Sequence, residues 1–176
     1  MWNDHNVTNK LTKALFIIYL LALFWILLLK LGVRFSYMES RSVNLIPFSE
    51  PLILNGKVDV GEIILNVVVF IPLGIYTGVL FKRWSFGSKI LFFALISLLF
   101  EGLQYVLRIG AFDITDIITN TSGGIIGLLL FIAIEKLFNN SIKAQKFINV
   151  IATVGTVLMI SLLLLLKLNL LPVRYQ

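Results

Sequence analysis

The stretch that decides the fold runs ILFFALISLLFEGLQYVLRIGAFDITDIITNTSGG over residues 90–124. It opens as an apolar run ending at Phe100. Glu101, Gln104 and Arg108 follow, then the short link Ile109–Phe112, then Asp113, Asp116 and Asn120 ahead of a second apolar run over Ile125–Ile134. At about 100° per residue, i, i+3, i+7 spacing sets each triplet on one helical face. Two adjacent helix ends are therefore expected to turn polar stripes toward each other. An ionisable side chain at mid-span costs roughly 2.5–3.5 kcal/mol on the insertion scale, so several together mark a functional site.

The rest of the chain fixes the solvent as lipid. It is 59% hydrophobic and 14% charged, with a mean hydropathy of +0.96 over 176 residues. A soluble domain of this size cannot cover so much apolar surface. The net charge of +6 does not point to nucleic acid, because the basic residues sit in short links between apolar runs. Cysteine is absent, which removes disulfides, thiolate chemistry and a cysteine-linked lipid anchor. The expected class is all-α, a polytopic integral membrane protein of about five transmembrane helices, as one domain over residues 1–176.

Spans of ~20 residues are expected at Ala14–Leu29, Ile63–Phe81, Lys89–Leu107, Ile114–Ile134 and Ile148–Leu166. No small-residue cleavage site follows the first, which reads as an uncleaved signal anchor over 14–29. Lys10, Lys13, Lys82, Arg83, Lys89, Lys136, Lys143 and Lys146 fall on one side, so the N-terminus is expected on the cytoplasmic side. The polar triplets then lie at the outer face, with Glu101 ~12 Å deep. The second span also starts there, so Asn66, Glu101, Gln104, Asp116 and Asn120 are expected to share one depth. The inner halves of these spans contain almost nothing polar.

Local readings compete with functional ones. Asp113 and Asp116 open a helix and serve equally as an N-cap and a first-turn acid. Asp59-Val60-Gly61-Glu62 reads as a capping box for the second span. Arg108 is either part of the site or a side chain reaching the interface. Glu101 is too deep for that and caps nothing. Asn44-Leu45-Ile46-Pro47-Phe48 is an interfacial anchor or a lid with Asn44 reaching the cluster. Asn55-Gly56 marks a hairpin into Lys57–Val60. Pro72 is expected to kink the second span. Gly123 and Gly127 form a small-xxx-small pair, expected to pack on the third helix.

Four pieces in order carry a resemblance: Asn44-Leu-Ile-Pro47-Phe48, Asn66-Val-Val-Val-Phe70-Ile-Pro72-Leu-Gly74, Glu101-Gly-Leu-Gln104, and Phe112-Asp113-Ile-Thr-Asp116-Ile-Ile-Thr-Asn120-Thr-Ser-Gly123. Over the core 44–134 the chain resembles the VanZ-like family of small bacterial membrane proteins, leaving the helix at 148–166 as an accessory. The family's basic residue just before the Phe-Asp pair is replaced by Gly110 and Ala111, with Arg108 further back. The resemblance implies an accessory role in resistance to glycopeptide antibiotics such as teicoplanin, without supplying a mechanism.

The candidate binding residues are Asn44, Asn66, Glu101, Gln104, Arg108, Asp113, Asp116 and Asn120. Without Cys or a placed His, zinc chemistry is not expected. Glu101, Asp113, Asp116 and Asn120 offer oxygen ligands for magnesium or calcium, but their spacing carries no specific signature, so no metal or cofactor is assigned. A carboxyl removed from water is a candidate general acid or proton-coupled residue. Acids with Asn and Gln equally bind headgroups or amines without reaction. Three functions follow. The first is a protein that lowers susceptibility to a teicoplanin-type lipoglycopeptide by binding the drug or a lipid-linked envelope precursor at the outer leaflet. The second is an enzyme on a lipid-linked envelope substrate, with Glu101 and Asp116 as its catalytic acid–base pair. The third is a small transporter or flippase, disfavoured because the polar groups stop at one leaflet.

Overall fold

The computed structural model describes residues 2–29, 43–48, 53–54, 57–58 and 60–167. In chain order its elements are α1 (Trp2–Leu29), β1 (Val43–Asn44), β2 (Ile53–Leu54), β3 (Lys57–Val58), α2 (Gly61–Leu80), α3 (Phe86–Leu107), β4 (Phe112–Asp113), α4 (Ile114–Phe138) and α5 (Ser141–Lys167). All five helices are long and apolar enough to cross a membrane. The chain is an all-α multi-pass membrane protein with two very small strand pairs.

The helix ends follow from local chemistry. Ser85 caps α3 by accepting the Ser88 N–H at 3.1 Å on its hydroxyl. Arg108 ends α3 in the left-handed region, at φ 59°. Asp113 caps α4, its Oδ1 accepting the Thr115 N–H at 2.6 Å. Asn139 closes α4 at φ 49°, and Asn140 Oδ1 then accepts from the N–H groups of Ile142 and Lys143 to start α5. Val60 stands at the N-cap of α2 and makes no side-chain bond there, while the capping box expected for α2 rests on Asp59. Asp59 lies outside the described residues, as do Pro51, Asn55, Gly56 and Arg174. The hairpin itself is present, with Ile53 paired to Val58 and Leu54 to Lys57.

The bundle is organised on α2 against α4. A Cβ on Gly74 would collide with the Gly124 carbonyl, one on Gly123 with the Val67 carbonyl, and one on Gly127 with the Ile71 carbonyl. Small residues let two backbones approach where lipid gives no hydrophobic drive to associate. This corrects the expected partner of Gly123 and Gly127, which is α2 and not α3. It is Gly124, one step round the helix, that faces α3 through Phe93. Phe70, Leu73, Phe93, Phe100, Leu128, Leu23 and Leu28 form the core joining α2, α3, α4 and α1. α2 stays helical through Pro72, and the Val69 carbonyl accepts the Tyr19 hydroxyl at 2.8 Å, which ties α1 to it.

The end of the bundle away from the triplets is not apolar throughout. Thr12 donates to Asn149 Oδ1 at 2.9 Å and accepts from Gln145 Nε2 at 2.7 Å. Asn149 Nδ2 donates to the Thr8 carbonyl. All four side chains are buried. This network joins α1 to α5. Thr8 and Thr12 precede the expected start of the first span and Gln145 that of the fifth, so reading the spans one by one did not find the network.

Candidate functional site

α3, α4, α2 and β1 each supply part of one polar cluster. Inside α3, Ser97, Glu101 and Gln104 are all buried, Glu101 being 2% exposed. α4 brings Asp116, Thr119 and Asn120 in its first two turns, with Asp113 as its cap. Asn66 comes from the first half of α2. β1 runs parallel to β4, pairing Val43 with Phe112 and Asn44 with Asp113, so the segment before α2 crosses the α3–α4 link.

Two hydrogen-bonded arms result. In the first, Asn44 Nδ2 donates to Asp113 Oδ2 at 3.1 Å, and the Asp113 N–H donates to Glu101 Oε2 at 3.1 Å. In the second, Asn66 Nδ2 donates to Asp116 Oδ1 at 2.7 Å, Ser97 Oγ donates to the Asp116 carbonyl at 3.5 Å, and Asn120 Nδ2 donates to Ser97 Oγ at 2.9 Å. The arms meet in the first turn of α4. Asp113 and Asp116 are half-buried, while Glu101 and Asn120 sit behind them. Asn120 Oδ1 is buried without a hydrogen-bond partner among the described residues. A buried acceptor left unpaired costs about 1–3 kcal/mol and calls for a functional or solvent explanation.

The structure therefore brings Asn44, Asn66, Glu101, Asp113, Asp116 and Asn120 together. Gln104 turns to α1, where its Nε2 donates to the Leu27 carbonyl at 2.9 Å. Gly110 packs against it, since a Cβ there would press on the Gln104 side chain. Arg108 is exposed at the left-handed cap, so it does not extend the α3 stripe as i+7 spacing implied. Glu101 was expected to cap nothing. It instead holds the amide of the residue that caps α4, which gives a buried carboxyl a clear structural partner. Asp113 caps the helix through one oxygen, as one of its two readings expected, and its other oxygen meets Asn44.

Three participants escaped sequence reasoning. Ser97 bridges Asp116 and Asn120; its position four residues before Glu101, on the same face, was the available signal. Thr115 Oγ1 accepts the Phe48 N–H at 3.1 Å, which fixes the Asn44–Phe48 segment over the start of α4. Thr119 back-bonds to the Asp116 carbonyl. Leu45, Ile46 and Phe48 point outward and are more than half exposed, as suits an interfacial anchor. The segment thus has an apolar outer face, with Asn44 reaching in to Asp113.

These features define a class: a five-helix membrane protein with acid–amide groups gathered at one end of an α2–α4 core and strapped by an interfacial segment. The family model for VanZ/LLP1 matches residues 16–139. Protein VanZ of Enterococcus faecium is 40% identical over 157 residues, covering 87% of this chain and 91% of that protein. The chain belongs to the VanZ/LLP1 family. No solved structure matches it.

Proposed function

We propose that this protein acts in the bacterial cytoplasmic membrane with its N-terminus in the cytoplasm and its acid–amide cluster at the outer leaflet. There it lowers susceptibility to a teicoplanin-type lipoglycopeptide by binding the drug or a lipid-linked envelope precursor. The observation that carries the reading is the pair of half-buried carboxylates, Asp113 and Asp116, each held by an Asn from another element. Such preorganised acceptors suit a polar headgroup or an amine. Binding is favoured over acid–base catalysis because Glu101 Oε2 already accepts a backbone amide. The family membership supports the link to resistance.

The test is expression in a teicoplanin-sensitive host, with labelled teicoplanin retained on cells measured beside susceptibility and the purified protein searched for co-purified lipid-linked precursor. Reduced susceptibility with a bound, unprocessed precursor or drug supports binding. A processed precursor would replace this reading with the enzyme on a lipid-linked envelope substrate. Unchanged susceptibility at full expression would remove the resistance role.

A further inference from the structure

Two cavities follow one another along α1, α2 and α5, the first at the opposite pole from the acid–amide cluster and the second deeper between the helices. One, of about 640 Å³, is lined by Lys13, Lys82, Arg83, Trp84 and Gln145. The other, of about 320 Å³, is apolar and lined by Ile18, Tyr76, Ile148, Ile151 and Gly155 among others. α1, α2 and α5 contribute to both, joined by the α2–α3 link at the first and by Ile134 of α4 at the second. On α1, Lys13 precedes Ile18; on α2, the residues around Phe81 follow Tyr76; on α5, Gln145 precedes Ile148. Each step is about 4–8 Å along a helix.

Charge and shape agree on the occupant. Lys82 is paired with Glu135 at 3.6 Å, whereas Lys13 and Arg83 have no ion-pair partner among the described residues. Trp84 stands beside them, the side chain that favours the headgroup level. Behind this basic mouth, a Cβ on Gly155 would meet nothing within 4 Å. A glycine within α5 therefore leaves open space rather than making a close contact. An apolar cavity does not hold water, and within a bilayer hydrocarbon chains are what surround it. Basic pockets between helices bind anionic headgroups.

We propose that the two cavities form one site for an anionic phospholipid, its phosphate against Lys13 and Arg83 and an acyl chain lying past Ile18 and Tyr76 beside Gly155. The site is separate from the acid–amide cluster and does not rest on the function proposed for it. The occupant holds the α1–α5 pair against the α2–α4 core.

Native mass spectrometry of the full chain in mild detergent, with phosphatidylglycerol or phosphatidylcholine added, tests this. The parent protein should retain phosphatidylglycerol preferentially. Lys13→Gln with Arg83→Gln, both exposed positions, should reduce that preference by about five-fold per charge removed. Gly155→Phe should weaken both lipids while leaving the preference intact. Neither inorganic phosphate nor glycerol phosphate in excess should displace the lipid. Equal retention of the two lipids by the parent, or an unchanged preference in the double variant, would overturn the proposal. So would displacement by either free phosphate, which would reveal a plain anion site. A folded Gly155→Phe that binds both lipids as the parent does would remove the acyl groove. If that variant does not fold, the charge and displacement arms still decide.

Discussion

The N–H of Asp113 donates to Glu101 Oε2 at 3.1 Å, so the residue that caps α4 is itself held from inside α3. One side chain thereby ties α3 to the cap of α4. Removing it should act through structure first. Glu101→Ala leaves a buried N–H unpaired and should lower stability by about 1–3 kcal/mol. Glu101→Gln keeps an acceptor and should melt like the parent and retain most teicoplanin protection. Loss of protection by a stable, fully expressed Glu101→Gln would return the carboxyl to a chemical role.

Asp116→Asn tests the charge directly. The Asn66 contact at 2.7 Å survives, because an amide oxygen still accepts. Expression should be unchanged, and protection should fall to the level of the empty host. Asp113→Asn should lose less stability than Asp113→Ala, since Asn also caps helices and Ala forfeits about 1 kcal/mol there. Susceptibility measured at matched membrane expression reads both.

The glycines of the α2–α4 contact make a third test. Gly123→Leu and Gly127→Leu drive a side chain into backbone carbonyls and should prevent recovery of monodisperse protein. Gly102→Ala meets nothing within 4 Å and should be neutral or stabilising by about 0.5–1 kcal/mol. Size-exclusion profiles and thermal melts of the three variants separate these outcomes. Normal behaviour of Gly123→Leu would contradict the packing.

Thr12→Val removes a donor and an acceptor from the α1–α5 network. Hydrogen bonds between helices in a membrane are worth about 0.6 kcal/mol on average and at most about 1.7. A stability loss within about that range is expected, with teicoplanin protection retained. A reversible unfolding titration checks it.

Topology is read by single cysteines in a chain that has none of its own. Ile46→Cys should react with membrane-impermeant thiol reagents on intact cells. Ser85→Cys and Ser141→Cys should need permeant ones. Labelling of Ser85→Cys by an impermeant reagent would invert the proposed orientation.

The spans were legible in the sequence because lipid demands long apolar runs, and hydropathy measures that directly. The limits of α1 and α5 were not, since Thr8, Thr12 and Gln145 look like loop residues until they are seen bonding one another and Asn149. Gly123 and Gly127 announced a close approach, but spacing names only the face and not the helix that meets it. The short α3–α4 link suggested α3, whereas the carbonyls of Val67 and Ile71 place α2 there. Arg108 was misplaced by projecting a 100° step past the point where the backbone turns left-handed. Ser97 was passed over as a lone hydroxyl in an apolar run. Most of the polar cluster was legible because polar groups at depth are rare and fall at helical intervals.

The Asn44–Asp113 hydrogen bond spans 69 residues of sequence. During synthesis Asn44 leaves the ribosome long before Asp113, and in the interval α2 and α3 must enter the bilayer. The strand pair can close only once α4 begins to emerge. An insertion intermediate stalled after α3 therefore has its strap unfastened and lacks the first turn of α4. The acid–amide cluster is one of the later parts of the protein to come into being, and a chain that inserts with α4 misplaced displays no partial version of it.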